Sequence, residues 1–290
     1  MKVCGFTIAR NVVKFDYPIK EAIQSILPLC DHFVVAVGKS DDNTLEYVQS
    51  ILPADSTIVH TVWDDSLREG GRVLALETDK ALAAIPPGFD WAFYIQGDEV
   101  IHEKYLPVIL EAMKRYRDDP GVDGLLFRYR HFYGSYDYVG ESLKWYRREI
   151  RVIKSRPDIF SYKDAQGFRK KPNDKLRVKL LDAEVYHYGW VREPKALKEK
   201  LQSFHRMYFD DQWMERNSIK SAEFDYGDAE AVSQFEGTHP AAMKERIQLR
   251  SWKYDRDVSF NRFSMKDRLK MAIERWTGWR VGEYRNYKIV

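Results

Sequence analysis

Two carboxylates follow a buried run at Trp91-Ala-Phe-Tyr-Ile-Gln-Gly-Asp-Glu-Val100, and their position could give them chemistry. The aromatic and aliphatic residues read as a strand that stops at Gln96-Gly97, where Asp98 and Glu99 begin. In open α/β sheets, ligands collect at the carboxyl ends of strands. An aspartate there can hold Mg²⁺ or Mn²⁺ against two phosphates, because hard cations take oxygen ligands and the substrate completes the shell. The competing reading is a strand ending in a solvated acidic turn. A second cluster, Ser40-Asp41-Asp42-Asn43-Thr44, opens a helix after another strand. Its free backbone N–H groups and short acids suit a ribose or base, yet Ser, Asp and Asn are equally ordinary helix caps. The stretch His131-Phe-Tyr-Gly-Ser-Tyr-Asp-Tyr-Val139, with Trp145-Tyr146-Arg147-Arg148, can stack on sugar rings and bond their hydroxyls. A core strand pair with arginines outside explains the same letters.

These side chains need elements to position them. Val3 to Ile8 reads as a strand, and Asp16 can cap a helix whose stripe is Ile19, Ala22, Ile23, Ile26 and Leu27 before Pro28. Phe33 to Val37 is a second strand, followed by a helix with Thr44, Leu45, Val48, Ile51 and Leu52 on one side. Thr57 to Val62, a helix from Arg72 to Ala84, and Trp91 to Ile95 repeat the pattern. Strands alternating with helices predict an α/β protein with a parallel sheet covered on both faces. The alternation is lost after residue 100. A helix over 104–117, strands over 124–130, 149–154 and 180–188, and a helical segment over 194–217 follow. This divides the chain into a main unit, 1–190, and a C-terminal extension, 191–290.

Composition narrows the function classes. The chain has 290 residues, 44% of them hydrophobic, which is enough for a sizeable core. No apolar run approaches the roughly 20 residues that span a bilayer, and the first ten residues are too short and strand-like for a signal peptide, so a cytoplasmic location is expected. Cys4 and Cys30 sit in apolar segments and read as buried free thiols. A net charge of +3 gives no reason to expect nucleic acid. Glu99-x-x-His102 and Glu236-x-x-His239 have di-iron spacing, but that motif belongs on the helices of a four-helix bundle. There is no phosphate loop of the Gly-x-x-x-x-Gly-Lys-Ser/Thr kind.

Thr7-Ile-Ala-Arg10-Asn11, Gly38-Lys-Ser-Asp-Asp42-Asn-Thr44, Arg72 and Gln96-Gly-Asp98-Glu99 come in the order and spacing of a bacterial family 2 glycosyltransferase. The chain resembles that family over residues 1–105, and more weakly at Tyr186-His187-Tyr-Gly-Trp190-Val-Arg192 and Phe235-Glu-Gly-Thr-His239-Pro240. The resemblance implies a GT-A fold: a Rossmann-like, mostly parallel central sheet flanked by helices, here with a helical C-terminal appendage. It implies metal-assisted transfer of a sugar from a nucleotide-diphosphate sugar to a hydroxyl acceptor, with inversion, in cell-envelope or surface polysaccharide synthesis.

The resemblance also implies roles. Thr7, Arg10, Asn11, Ser40, Asp42, Arg72 and Gln96 would hold the nucleotide-sugar donor. Asp98 would bind Mn²⁺ or Mg²⁺, and His187 would complete the metal shell. Asp164, in Ser161-Tyr-Lys-Asp-Ala-Gln-Gly-Phe168, is the candidate general base, with Glu149 and Glu99 as rivals. The chain departs from the family at Val37-Gly38, where a carboxylate that grips the base is usual, and at Gln96, which replaces the first acid of the Asp-x-Asp motif. A non-catalytic nucleotide-sugar or glycan-binding protein of the same fold is the alternative. The tail is basic. Ser264 can cap a helix with Met265, Leu269, Ala272, Ile273 and Trp276 on one face, which could lie on anionic lipid near a lipid-linked acceptor or dock on the domain.

Overall fold

Strands buried on both faces carry mostly apolar sequence, and three of the first four strands are of this kind, with the half-exposed third at the sheet edge. The structure, a computed structural model, describes residues 1–227, 231–260 and 263–290. β1 (Val3–Ala9), α1 (Ile19–Ile26), β2 (His32–Gly38), α2 (Thr44–Ile51), β3 (Thr57–Thr61), α3 (Arg72–Ala83) and β4 (Trp91–Tyr94) alternate as the sequence predicts. The four strands are parallel, in the order β3-β2-β1-β4. The two-residue strand period splits their side chains between two cores. Val3, Phe33, Val35, Trp91 and Phe93 join the first, with Ile19, Ile23 and Ile26 of α1. Cys4, Phe6, Val34, Ala36, Ala92 and Tyr94 join the second. Asp16 does not cap α1, whose N-cap is Pro18. Instead it takes a positive φ of 48° and pairs with Arg246 at 2.7 Å.

From β5 (Glu99–Ile101) onward the sheet becomes mixed. α4 (Leu106–Tyr116) leads to β6 (Gly124–Tyr133), β7 (Tyr138–Gly140), β8 (Arg148–Lys154), β9 (Ile159–Tyr162), β10 (Gly167–Lys170) and the long β11 (Asp174–Trp190). The sheet continues β4-β8-β6-β11-β10-β9, with β8 antiparallel to both its neighbours. The short excursion through β7, in place of a crossover helix, is what permits that reversal.

The segment after residue 190 contains α5 (Pro194–Arg206), α6 (Asp211–Asn217), β12 (Val232–Gln234), α7 (Lys244–Gln248), α8 (Met265–Thr277) and β13 (Tyr287–Ile289). It is mainly helical but returns two strands: β12 pairs with β7, and β13 lies parallel to β11 with Tyr287 opposite Leu176. Ser264 caps α8, accepting a bond from the Asp267 backbone N–H at 3.0 Å. The apolar face of α8 is not docked along its length, since Met265 is 82% exposed, Leu269 64% and Trp276 91%. Among the described residues, no helix is long and apolar enough to cross a membrane. Cys4 and Cys30 are free, and burial pushes the Cys4 thiol up to about 12.

Candidate functional site

A cavity of about 460 Å³ opens at the carboxyl ends of β1 and β4. Arg10 follows β1, and Gln96, Gly97 and Asp98 follow β4. Trp145 and Tyr146 come from the segment before β8, Asp164 from the β9–β10 turn, and His187 and Trp190 from the end of β11. One face of α5 closes it with Lys200 and Phe204, and Tyr208 extends that wall. A polar groove of about 650 Å³ adjoins it, sharing Arg10, Tyr17, Trp63 and Lys200.

Asp98 lies on the cavity wall and is 7% exposed. Its Oδ2 accepts a hydrogen bond from Lys200 Nζ at 3.0 Å, with Arg192 Nη2 at 3.9 Å, while His187 Nε2 is 3.8 Å from Oδ1. Burial alone would raise the Asp98 carboxyl. Lys200, His187 and Arg192 outweigh it and hold the group well below the usual carboxylate range. Burial, reinforced by Arg192, lowers the Lys200 ammonium to about 8, so it stays charged at neutral pH. Gly189 makes this packing possible, because a Cβ there would lie 2.6 Å from His187 Nε2 and 3.1 Å from Asp98 Oδ2.

A hydrogen-bond chain fixes the His187 tautomer. His131 Nε2 lies 2.7 Å from the Tyr146 carbonyl, which only accepts, so that nitrogen carries the proton. His131 Nδ1 then accepts from His187 Nδ1 at 3.0 Å, leaving the His187 Nε2 lone pair directed toward Asp98. Burial keeps both imidazoles neutral, lowering His131 to about 3 and His187 to about 4.

The other sequence-derived candidates divide between the cavity and the framework. Gln96 lines the cavity and donates to the Ala165 carbonyl at 3.2 Å. Asp164, half-buried, accepts from the Tyr208 hydroxyl at 2.9 Å. Arg10 lines both cavity and groove, lies 5.3 Å over the Trp63 ring and holds Asp65 through two bonds of 2.5 and 2.8 Å. Asn11 lines the groove while its side-chain oxygen accepts from the Asp41 backbone at 2.7 Å.

Thr7, Ser40, Asp42, Arg72, Glu99 and Glu149 line neither space. Thr7 donates to the Ile95 carbonyl at 2.5 Å and ties β1 to the end of β4. Ser40 accepts from Asn11 N at 3.0 Å and Asp42 from Lys14 N at 2.7 Å, which stitches the loop after β1 to the loop after β2. Arg72 is exposed, 3.7 Å from Glu69. Glu99 is wholly buried in a two-bond pair with Arg151, each bond 2.7 Å, and also accepts from Tyr129 at 2.7 Å. Those bonds commit it to structure. Glu149 is buried, and its carboxyl is pushed up to about 8 by burial, with Asp164, Glu99 and Glu283 adding to the rise against Arg151.

Tyr17, Trp63, Lys200, Phe204 and Tyr208 also line these spaces, and the motifs do not single them out. Lys200, Phe204 and Tyr208 do carry a signal, since they are spaced i, i+4, i+8 along α5 and its end. Trp63 explains Gly38: a Cβ on Gly38 would sit 2.3 Å from the Trp63 indole nitrogen. Where the resemblance expects a carboxylate, this chain packs an indole.

The residues at Asp98 do not fit a divalent cation held by the chain alone. Asp98 Oδ1 and His187 Nε2 supply two acceptors, so the rest of the roughly six ligands that Mg²⁺ takes would have to come from substrate and water. No cluster of three or more His, Cys, Asp or Glu that could hold a metal occurs among the described residues. Lys200 and Arg192 also set two positive charges against one carboxylate.

The fold and site define an α/β protein with a ligand-sized cavity at the carboxyl edge of its parallel strands. No family model matches the chain, and no curated protein matches it. Among solved structures it is similar to residues 1–349 of S. aureus TarS, at 14% identity and a TM-score of 0.39, over 70% of this chain and 64% of that one. It is also similar to glucosyl-3-phosphoglycerate synthase from Mycobacterium tuberculosis, solved with Mn²⁺, UDP and phosphoglyceric acid, at 20% identity and a TM-score of 0.30. That match covers 45% of this chain and 43% of the other. A third, 4-diphosphocytidyl-2C-methyl-D-erythritol synthase from Anaerococcus prevotii, has 11% identity and a TM-score of 0.33, over 53% of this chain and 70% of that one.

Proposed function

We propose that the chain is a glycosyltransferase that moves a sugar from a nucleoside-diphosphate sugar to a hydroxyl acceptor, with inversion. The carrying observation is the cavity itself, in which Asp98 and the half-buried Asp164 share a space walled by Tyr17, Trp145 and Tyr146. Aromatic faces suit the apolar faces of sugar rings, and the adjoining polar groove, with Arg10, Asn11 and Trp63, suits a nucleoside. Residues 1–190 supply the strand-end groups, and Lys200 of the 191–290 segment closes the cavity.

In the reaction, the acceptor oxygen forms a bond to the anomeric carbon as the bond to the diphosphate oxygen breaks and that oxygen keeps the electron pair. The hydroxyl proton passes to Asp164, whose carboxylate is oriented by Tyr208. Glu99 is spent on Arg151, and Glu149 holds its own proton at neutral pH, which favours Asp164 among the three carboxylates. His187 Nε2 is a second acceptor in the cavity, on the Asp98 side. Arg10 and Gln96 face the donor.

The acceptor belongs to cell-envelope or surface polysaccharide synthesis, and α8 brings the chain to an anionic membrane carrying it. The support is charge complementarity, since exposed Lys266, Arg268 and Arg275 flank the outward stripe of Met265, Leu269 and Trp276.

The donor reading is tested by thermal unfolding with UDP, GDP, CMP and dTDP at millimolar concentration, each with and without Mn²⁺. One nucleotide is expected to raise the midpoint by several degrees, because a ligand at about 100 times its Kd adds about 2.7 kcal/mol to the native state. No shift with any of the four ends the donor assignment. For the transfer step, Asp164→Asn is expected to remove turnover while leaving that shift in place, and unchanged turnover would return the base role to another group.

A further inference from the structure

On its Oδ2 side Asp98 meets two cations. Lys200 reaches it from α5, with Nζ 3.0 Å from Asp98 Oδ2 and 2.9 Å from the Gly189 carbonyl. Arg192 lies behind, its side chain wholly buried. Arg192 Nε donates to the Phe15 carbonyl at 2.9 Å and Nη1 to the Gly189 carbonyl at 2.5 Å. Its Nη2, 3.9 Å from Asp98 Oδ2, has no hydrogen-bond partner. Both cations also lie over the Tyr17 ring, at 5.0 Å for Lys200 and 4.5 Å for Arg192.

The charge count decides what the place can take. Glu99, the neighbouring acid, is paired with Arg151. At this end of the cavity Asp98 therefore stands alone against Lys200 and Arg192, a local excess of one positive charge in low-dielectric surroundings, while Asp164, the other carboxylate on the wall, is held by the Tyr208 hydroxyl. An anion entering the cavity balances that charge, whereas a free divalent cation increases it. Lys200 is also the one of the two cations that lines the cavity.

Resting on the donor reading above, we infer that Lys200, backed by Arg192, is a built-in cationic clamp for the donor's diphosphate. It neutralises that group in the role expected of Mn²⁺ or Mg²⁺ at Asp98, so that a nucleoside diphosphate binds this chain without a divalent cation. Lys200 then supplies the positive charge that meets the phosphate oxygen as the glycosidic bond breaks.

Isothermal titration of the intact chain with inorganic pyrophosphate and with UDP, GDP, CDP and dTDP, in EDTA and again in Mn²⁺, tests the clamp. Lys200→Met removes the charge, Lys200→Arg keeps it, and circular dichroism confirms that both variants fold. The expected result is binding in EDTA that weakens at least tenfold in Lys200→Met, is largely kept in Lys200→Arg and changes less than threefold when Mn²⁺ is added. Electron paramagnetic resonance of Mn²⁺ with the protein alone should show the free-ion spectrum. Binding that requires Mn²⁺, or that is equal in Lys200→Met and the unaltered chain, overturns the clamp and leaves the donor reading standing. Lys200-dependent pyrophosphate binding with no binding of any nucleotide supports the clamp and removes the donor reading. Failure of every ligand with and without Mn²⁺ overturns both.

Discussion

Burial decides which carboxylate around this site keeps a proton, and Glu149, behind the cavity wall, makes the point. Its ordinary value is 4.5, and the folded chain holds it at about 8. Between those two values the folded state keeps a proton that the unfolded chain has released, so stability falls as pH rises from about 5 to about 8. Glu149→Gln removes this term. The variant is expected to lose that part of the decline, on the order of 3 kcal/mol across the window. Urea unfolding at pH 5 and pH 8 measures it, and equal pH slopes for the two proteins would mean that Glu149 is ionised in the fold. The sequence leaves Glu149 and Glu99 as rivals to Asp164, because burial and pairing are tertiary properties. Arg151, which occupies Glu99, lies 52 residues away along the chain. The place of Asp98 on the cavity wall is legible, because a strand end announces itself locally. That of Lys200, 102 residues from Asp98, is not.

At the scale of elements, the turn after β2 is shaped by what packs on it. The Trp63 indole occupies the space a Gly38 side chain would need. Gly38→Val forces the indole away from the junction of the cavity and the groove. The expected cost is about 1–3 kcal/mol of stability, as for other overpacked sites, together with weaker nucleotide binding by the same titration used for Lys200. A variant with unchanged stability and affinity would mean that the indole has room to move. The sequence predicted β1 to β4 and α1 to α3 because each strand is a short apolar or β-branched run bounded by a helix stripe. It also located α4, the stretch that forms α5 and α6, and α8, but not the short α7. What it did not convey is that β8 runs antiparallel between β4 and β6, or that β13 returns to β11. Those pairings join residues far apart in the chain, and the apolar pattern of a buried strand does not specify its neighbour or direction.

For the whole molecule, the small net charge of +3 conceals an uneven surface. Residues 264–280 hold Lys266, Arg268, Lys270, Arg275 and Arg280 against Asp267 and Glu274, and Glu274 is already bound by Arg147 and Arg280. The positive charge left over surrounds the exposed Leu269 and Trp276. Each basic residue near an anionic bilayer contributes about 1 kcal/mol, and two apolar side chains inserted beside them add to that. The chain is therefore expected to sediment with phosphatidylglycerol-containing vesicles, to release at high salt as screening shortens the reach of its charges, and to ignore purely zwitterionic vesicles. Leu269→Asp combined with Trp276→Asp should weaken that sedimentation at least tenfold while leaving nucleotide affinity unchanged, since neither residue lines the cavity or its groove. If the double variant sediments as strongly as the unaltered chain, α8 is not the contact. If neither protein sediments at low salt, the exposed stripe serves something other than lipid.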